Sequence, residues 1–296
     1  MAWTTTQLLA SIKRRADVPT AQASYSTTEI LSMADEETRS YVVPLVLKER
    51  EDYWVSPHDV ALVDGTIAYR IPYRAVGGKL REVYLIDVNG NLIQFPRARI
   101  SDLEDANWGF WTEGNVLNIV DDGTLSVTNL AVTLRMYVYL RPNALVATTA
   151  ATTVSSFNAT AKTITLASTP SGYAGQTTWD IVRAKPGFET LAFDAAGTLA
   201  ASTITFTNAL PDDLAVGDYV CLPEQTPVPQ IPAELHDLLA QRVAVVMLSN
   251  KGMADKLVTA EKELARLQSA ALALITPRVE GESVKFVQRR SLFRGF

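Results

Sequence analysis

A chain of 296 residues with 47% apolar and 20% charged side chains has material for about two ordinary domains. Its net charge of −5 argues against a wholesale nucleic-acid binder, which is usually basic, and its single cysteine, Cys221, excludes an intramolecular disulfide or a cysteine zinc site and suits a reducing cytoplasm. No basic-then-apolar leader opens the chain and no stretch reaches the ~20 apolar residues that span a bilayer, so a soluble protein with no membrane partner is expected.

The N-terminal segment reads as two helices. In Thr4-x-x-Gln7 and Ser26-x-x-Glu29, hydroxyl and side-chain oxygens can satisfy the free N–H groups of a first turn. Leu8, Leu9, Ile12 and Ala16 follow at helical spacing, and Val18-Pro19 ends that helix. Ile30, Met33, Ala34, Glu37 and Tyr41 extend the second helix to Pro44, which lacks the N–H the ladder needs and should kink or end it. From residue 53 to about 140 the period falls to two. Asp64-Gly65, between the apolar runs 60–63 and 67–71, and Asn89-Gly90, between 83–88 and 92–95, predict two hairpins, because primed turns need positive φ at their central residues. Runs 116–120 and 132–140 add two strands. The segment predicts a small antiparallel sheet with the helices packed on it.

Composition shifts near Asn143, and from there to Pro223 the chain is rich in Thr, Ala, Ser and Gly. Short strands at 163–167, 180–183, 202–207 and 218–222 read as an inserted β-barrel or β-sandwich, while residues 148–156 could instead be a low-complexity linker. Pro227-x-Pro229-x-x-Pro232 is a stiff linker out of the insert. Leu235, Leu239, Val243 and Val246 mark one helical face, and Asn250-Lys251-Gly252 offers a C-cap. Leu257, Glu261, Leu264, Leu267, Ala271 and Leu274 mark a second helix that stops at Thr276-Pro277. Of these, Leu257, Leu264, Leu267 and Leu274 are expected in a core or a subunit interface. Residues 278–296 carry five basic side chains (Arg278, Lys285, Arg289, Arg290, Arg294) against two acidic ones, interleaved with Phe286, Phe293 and Phe296. A basic, aromatic tail on an acidic protein suggests docking onto a partner. The expected fold class is α+β: a helical body, formed by N-terminal helices and a C-terminal helical hairpin, with a small antiparallel sheet and an inserted all-β module. The expected parts are residues 1–145 (helices and sheet), 146–226 (β insert), 227–277 (helical hairpin) and 278–296 (extended docking tail).

No converging set of reactive groups is legible, so neither enzyme activity, nor a cofactor, nor a metal is expected. His58 and His236 read as surface or capping residues, and Gly77-Gly78-Lys79, which lacks the remaining phosphate-loop positions, as a tight connection between strands. Asp121, Asp122, Asp212 and Asp213 read as turn acids. Trp179, Tyr173 and Phe188 could form an aromatic platform on the insert, against a plainer role in its core.

Three blocks carry a family resemblance: Ile71 to Val83 (IPYRAVGGKLREV) continuing to DVNGN at 87–91; IPAELH at 231–236 with LAQRVA at 239–244; and RVEG at 278–281 with Lys285 to Arg294. Together they resemble the head-to-tail connector, or adaptor, proteins of tailed bacteriophages, over roughly the first 145 and the last 70 residues. The resemblance implies a structural virion protein at the head–tail junction, made in the host cytoplasm. Its subunits would form a dodecameric ring on the portal and pass DNA through the lumen without binding it specifically. The partners it implies are the portal protein, tail, nozzle or stopper proteins, and further copies of the chain. The basic, aromatic tail would reach along the portal. A different neck ring, such as a stopper or nozzle, and a β-module protein that binds glycan or capsid are the other readings.

Overall fold

The computed structural model describes residues 3–18, 25–99, 108–121, 132–184 and 189–276. Helices α1 (Thr5–Arg15) and α2 (Thr27–Glu37) begin at the two expected boxes. The Thr4 N–H donates to Gln7 Oε1 at 2.9 Å; at the second, the Ser26 N–H donates to Glu29 Oε2 at 2.6 Å and the Glu29 N–H to Ser26 Oγ at 3.2 Å. Pro44 does not stop the second helix. The chain widens into one π turn, Thr38–Val42, where the Val43 N–H reaches back to the Thr38 carbonyl, and resumes as α3 (Val43–Glu49) with Pro44 in its first turn. The ladder slips by one residue just where proline has no N–H to give.

Two further helices close this part of the molecule, α4 (His236–Asn250) and α5 (Ala254–Ile275). Between them the Gly252 N–H donates to the Ser249 carbonyl and the Met253 N–H to the Leu248 carbonyl, with Gly252 at φ +66°. That paired closure needs a left-handed residue, which glycine supplies at no steric cost. The sequence reading gave α4 one apolar face. The structure buries Leu238, Leu239, Ala240, Val243, Ala244, Val245, Met247 and Leu248, because α1, α2 and α5 surround it. Val246 is only half-buried.

Strands β1 (Val55–Ala61), β7 (Thr133–Leu140), β3 (Ala75–Ile86) and β4 (Leu92–Gln94) form a four-stranded antiparallel sheet. β2 (Ala68–Arg70), β6 (Val116–Asp121) and β5 (Trp108–Glu113) form a second. The Asn89-Gly90 hairpin joins β3 to β4, with Asp87 Oδ1 accepting from the Asn89 and Asn91 N–H groups at 2.8 Å each. The Asp64-Gly65 hairpin does not form. A turn is present, but β1 pairs with β7 and β2 with β6, so the chain changes sheets there. Gly77 and Gly78 likewise lie inside β3, at φ +60° and +64°, where the register against β7 shifts; they make a bulge rather than a loop. Gly109 is fixed by contact, since a Cβ there would stand 2.7 Å from the Pro96 carbonyl oxygen.

The remaining strands are β8 (Ala144–Leu145), β9 (Thr152–Asn158), β10 (Thr163–Leu166), β11 (Thr178–Val182), β12 (Thr190–Ala200), β13 (Thr203–Phe206), β14 (Tyr219–Cys221) and β15 (Gln225–Thr226). Six of them close a barrel in the order β10-β13-β12-β11-β14-β9, while β8 and β15 pair in parallel where the chain enters and leaves it. Residues 152–158, within and beyond the suspected linker, are therefore strand. The barrel is filled by Trp179, Tyr173, Ile164, Ile181, Ile204, Phe206 and Val220. Trp179 Nε1 donates to the Gly197 carbonyl at 3.1 Å and the Tyr173 hydroxyl to the Val220 carbonyl at 2.6 Å, so both aromatics bring their polar atoms into the core with partners.

These assignments correct the expected fold class. The chain is mostly β, with a closed six-stranded barrel and three further sheets among the described residues, rather than a helical body bearing one small sheet. The helices do not cover the sheet as expected. Their apolar residues gather around α4, while the two antiparallel sheets bury their inner faces against each other through Ile71, Val83, Leu85, Phe95, Phe110, Leu117, Leu134, Met136 and Val138. Alternating strands leave each sheet one apolar face, and two such faces satisfy one another without helices.

Of the four α5 leucines, Leu264 is buried at 9% exposure, Leu257 and Leu267 pack at the margin of the helical core, and Leu274 stands 62% exposed, outside every core formed by the described residues. Leu264→Asp should therefore cost about 3 kcal/mol of unfolding free energy, read from the denaturant midpoint, and Leu274→Asp close to nothing. Equal losses at the two positions would contradict this packing.

Candidate functional site

The docking residues expected from the sequence, Arg278, Lys285, Phe286, Arg289, Arg290, Phe293, Arg294 and Phe296, lie outside the described residues, as do Phe188 and Asp122. Trp179 and Tyr173 are fully buried in the barrel and present no platform. Among the turn acids, Asp213 pairs with Arg183. The two histidines are not surface caps. His58 lies in β1, half-buried and stacked on Phe193 with ring centroids 5.5 Å apart, and burial lowers its pKa. His236 is buried at the start of α4; its Nδ1 accepts from the Trp3 N–H at 3.0 Å, and burial pushes its pKa down to about 4.

What the fold does assemble is a buried charged junction. Arg74, in the turn before β3, is 2% exposed. Its two terminal nitrogens donate to Asp180 Oδ1 and Oδ2 at 2.8 Å each, one of them also to Asp194 Oδ1 at 3.4 Å and the other to Asn143 Oδ1. Asp180, on β11, is fully buried and accepts three more hydrogen bonds: from Asn143 Nδ2 at 2.7 Å and from the backbone N–H groups of Asp194 and Glu224 at 3.0 Å each. Both of those residues sit in the left-handed region, Asp194 at φ +51° and Glu224 at φ +62°. Such strain in a non-glycine residue persists only where the surroundings hold it. Here each strained residue aims its N–H at one carboxylate.

The network continues outward. The Asn143 N–H donates to Gln230 Oε1 at 2.7 Å, its side chain to the Gln225 carbonyl at 3.1 Å, and Gln230 Nε2 to Thr190 Oγ1 at 2.7 Å. The proline-rich segment that carries Gln230 is buried rather than a free linker: the Pro227 carbonyl accepts from the Thr5 N–H at 2.8 Å and the Gln230 carbonyl from Trp54 Nε1 at 2.8 Å. Three parts of the molecule, sheets, barrel and helices, thus meet at one ion pair. Burial would lower the Arg74 pKa, but the hydrogen bonds and charge of Asp180 outweigh it and hold the guanidinium charged. Burial raises the Asp194 carboxyl, against the pull of Arg74.

Sequence reasoning missed Asp180 as a site residue. Its signal was present, however. In Thr178-Trp-Asp-Ile-Val182 an acid interrupts an apolar run, and a carboxylate in such a place demands a cationic partner.

A second polar tie joins the helices to the barrel entrance. Asp35, on α2, accepts from the Leu145 N–H at 2.8 Å, and burial pushes its carboxyl up to about 6 despite that bond and the nearby Arg39. A carboxyl raised in the fold contributes stability that is fully present below its unfolded pKa near 3.8 and is lost as pH rises through about 6. Asp35→Asn, which keeps an acceptor for Leu145, should raise the melting temperature by a few degrees at pH 7, with the gain fading by about pH 4. A constant gain at all pH would assign the effect to something other than ionisation.

The junction gives a sharper test. Arg74→Met leaves the Asp180 carboxylate buried without its counter-ion and should cost about 3–5 kcal/mol. In a double-mutant cycle, Arg74→Met with Asp180→Asn should lose clearly less than the sum of the single changes. Additive losses would remove the junction from its structural role. Compared with family models and with curated proteins, the chain matches none.

Proposed function

We propose that this chain is a structural subunit of the ring that adapts the head portal of a tailed bacteriophage to its tail. The reading rests on the three sequence blocks and is supported most by where two of them meet. Arg74, from the first block, is tied through Asn143 to Gln230, the residue before the second block at Ile231. The second block then supplies Leu235, His236, Leu239, Ala240, Val243 and Ala244 to the helical core. Segments separated by about 150 residues thus form one frame, with the barrel fixed to it by Asp180.

In this reading the subunit works by rigidity. A ring that transmits DNA between two protein assemblies needs subunits whose interfaces keep a fixed rotation, since head-to-tail contacts close only at one angle. The portal is engaged by the basic, aromatic segment after residue 277, and further copies by the outer faces of the frame. The acidic body suits a lumen that must not hold phosphates.

An averaged reconstruction of the head–tail junction in particles carrying this protein tests the assignment. The barrel is a recognisable feature, and a ring of it directly under the portal is expected. Its appearance at the tail end, or in a ring without portal contact, would replace the adaptor with a nozzle or stopper. Deleting residues 280–296 should leave the melting transition of the free protein unchanged, while filled heads lose their tails. Normal tail joining by the truncated chain would remove the tail's docking role.

A further inference from the structure

A small cleft of about 50 Å³ opens beside the junction, lined by Arg39, Arg74, Arg141, Asn143 and Glu224 together with Pro142 and Ala144. A water needs roughly 10–15 Å³ in such a space, so the cleft has room for three or four oxygen-sized groups, about the number in a tetrahedral oxyanion. Three arginines line it from separate elements: Arg39 from the π turn after α2, Arg74 from the turn before β3, and Arg141 just past the end of β7. They are not equivalent. Arg74 is neutralised by Asp180. Arg39 and Arg141 are exposed and form no ion pair with another described residue. Asp35 attracts Arg39 from within α2, but its carboxylate is turned to the Leu145 N–H. The acid in the lining, Glu224, offsets one of these positive charges and leaves the cleft net positive.

We propose that this cleft binds a phosphate-sized oxyanion, either inorganic phosphate or a terminal phosphate monoester, held between Arg39 and Arg141 above the Arg74 junction. Guanidinium groups present paired N–H donors in a plane that matches phosphate oxygens, and two of them against one carboxylate favour an anion in the pocket. The pocket is polar and small, which suits a compact anion. Duplex DNA needs many phosphate contacts along an extended basic surface, which a cleft of this size does not offer. A bound oxyanion would bridge the helices to the crossing between sheet and barrel, and so stabilise the folded chain in proportion to its occupancy.

The test uses the full chain with inorganic phosphate as probe, compared with chloride at equal ionic strength and neutral pH. Calorimetric titration should show saturable binding of one phosphate per chain, and melting should shift upward with the same concentration dependence. Arg39→Gln and Arg141→Gln should each weaken binding about tenfold, and the double variant should abolish it. Arg14→Gln, an exposed change on α1, should leave binding unchanged. Circular dichroism melts without phosphate should match for all variants, which separates lost binding from lost fold. No saturable heat, or binding that survives the double change, overturns the proposal. Short duplex DNA binding more tightly than inorganic phosphate, with the same loss in the variants, overturns it in favour of a nucleic-acid backbone site.

Discussion

The pairing of Arg74 with Asp180 constrains everything around it. An ionised carboxylate enclosed in protein is costly unless every lone pair is used, and a guanidinium is costly unless its charge is met. Asp180 meets this requirement with five donors drawn from Arg74, Asn143, Asp194 and Glu224. Two of the five come from residues in left-handed backbone, so the turns at Asp194 and Glu224 are shaped by the carboxylate they serve. Because Arg74 belongs to the sheets and Asp180 to the barrel, neither unit can swing away without exposing a desolvated charge. A replacement of the pair by well-packed apolar residues could match its stability, but would not fix a single orientation by directional bonds.

The same economy runs through the three cores. Helices, sheets and barrel each bury most of their own apolar residues, and smaller apolar contacts join them, such as Ala151, Val182, Cys221 and Val228 at the barrel exit and His58 on Phe193 between sheet and barrel. Polar, directional contacts add to these: Asp35 to Leu145, Asn143 to Gln230, Trp54 to Gln230 and Thr5 to Pro227. The parallel pair β8 and β15 gathers the chain's entrance to and exit from the barrel beside these ties.

Two titrating groups of the helical part, Asp35 and His236, oppose one another. Asp35, raised by burial, favours the fold as pH falls through about 6. His236, lowered by burial to about 4, works the other way: its contribution is present above the ordinary histidine value near 6.5 and is lost as pH falls towards 4. Both respond to the same constraint, a charge that is poorly solvated at the edge of a packed core.

Local signals in the sequence determined the local elements. Capping boxes set the starts of α1 and α2, Gly252 the closure between α4 and α5, Asn89-Gly90 the turn from β3 to β4, and β-branched runs several barrel strands. Each depends on neighbours a few residues apart, where spacing and φ preference act directly. Other decisions were tertiary. Asp64-Gly65 specifies a turn but not which strands pair across it, and Pro44 specifies a missing N–H but not the π turn that absorbs it. The number of sheets, and so the mostly β fold class, depends on which apolar face meets which. Composition could not choose between helices covering a sheet and two sheets covering each other. Asp180 and Arg74 stand 106 positions apart, and their meeting was fixed only when the barrel closed and carried the acid to an arginine that neutralises it.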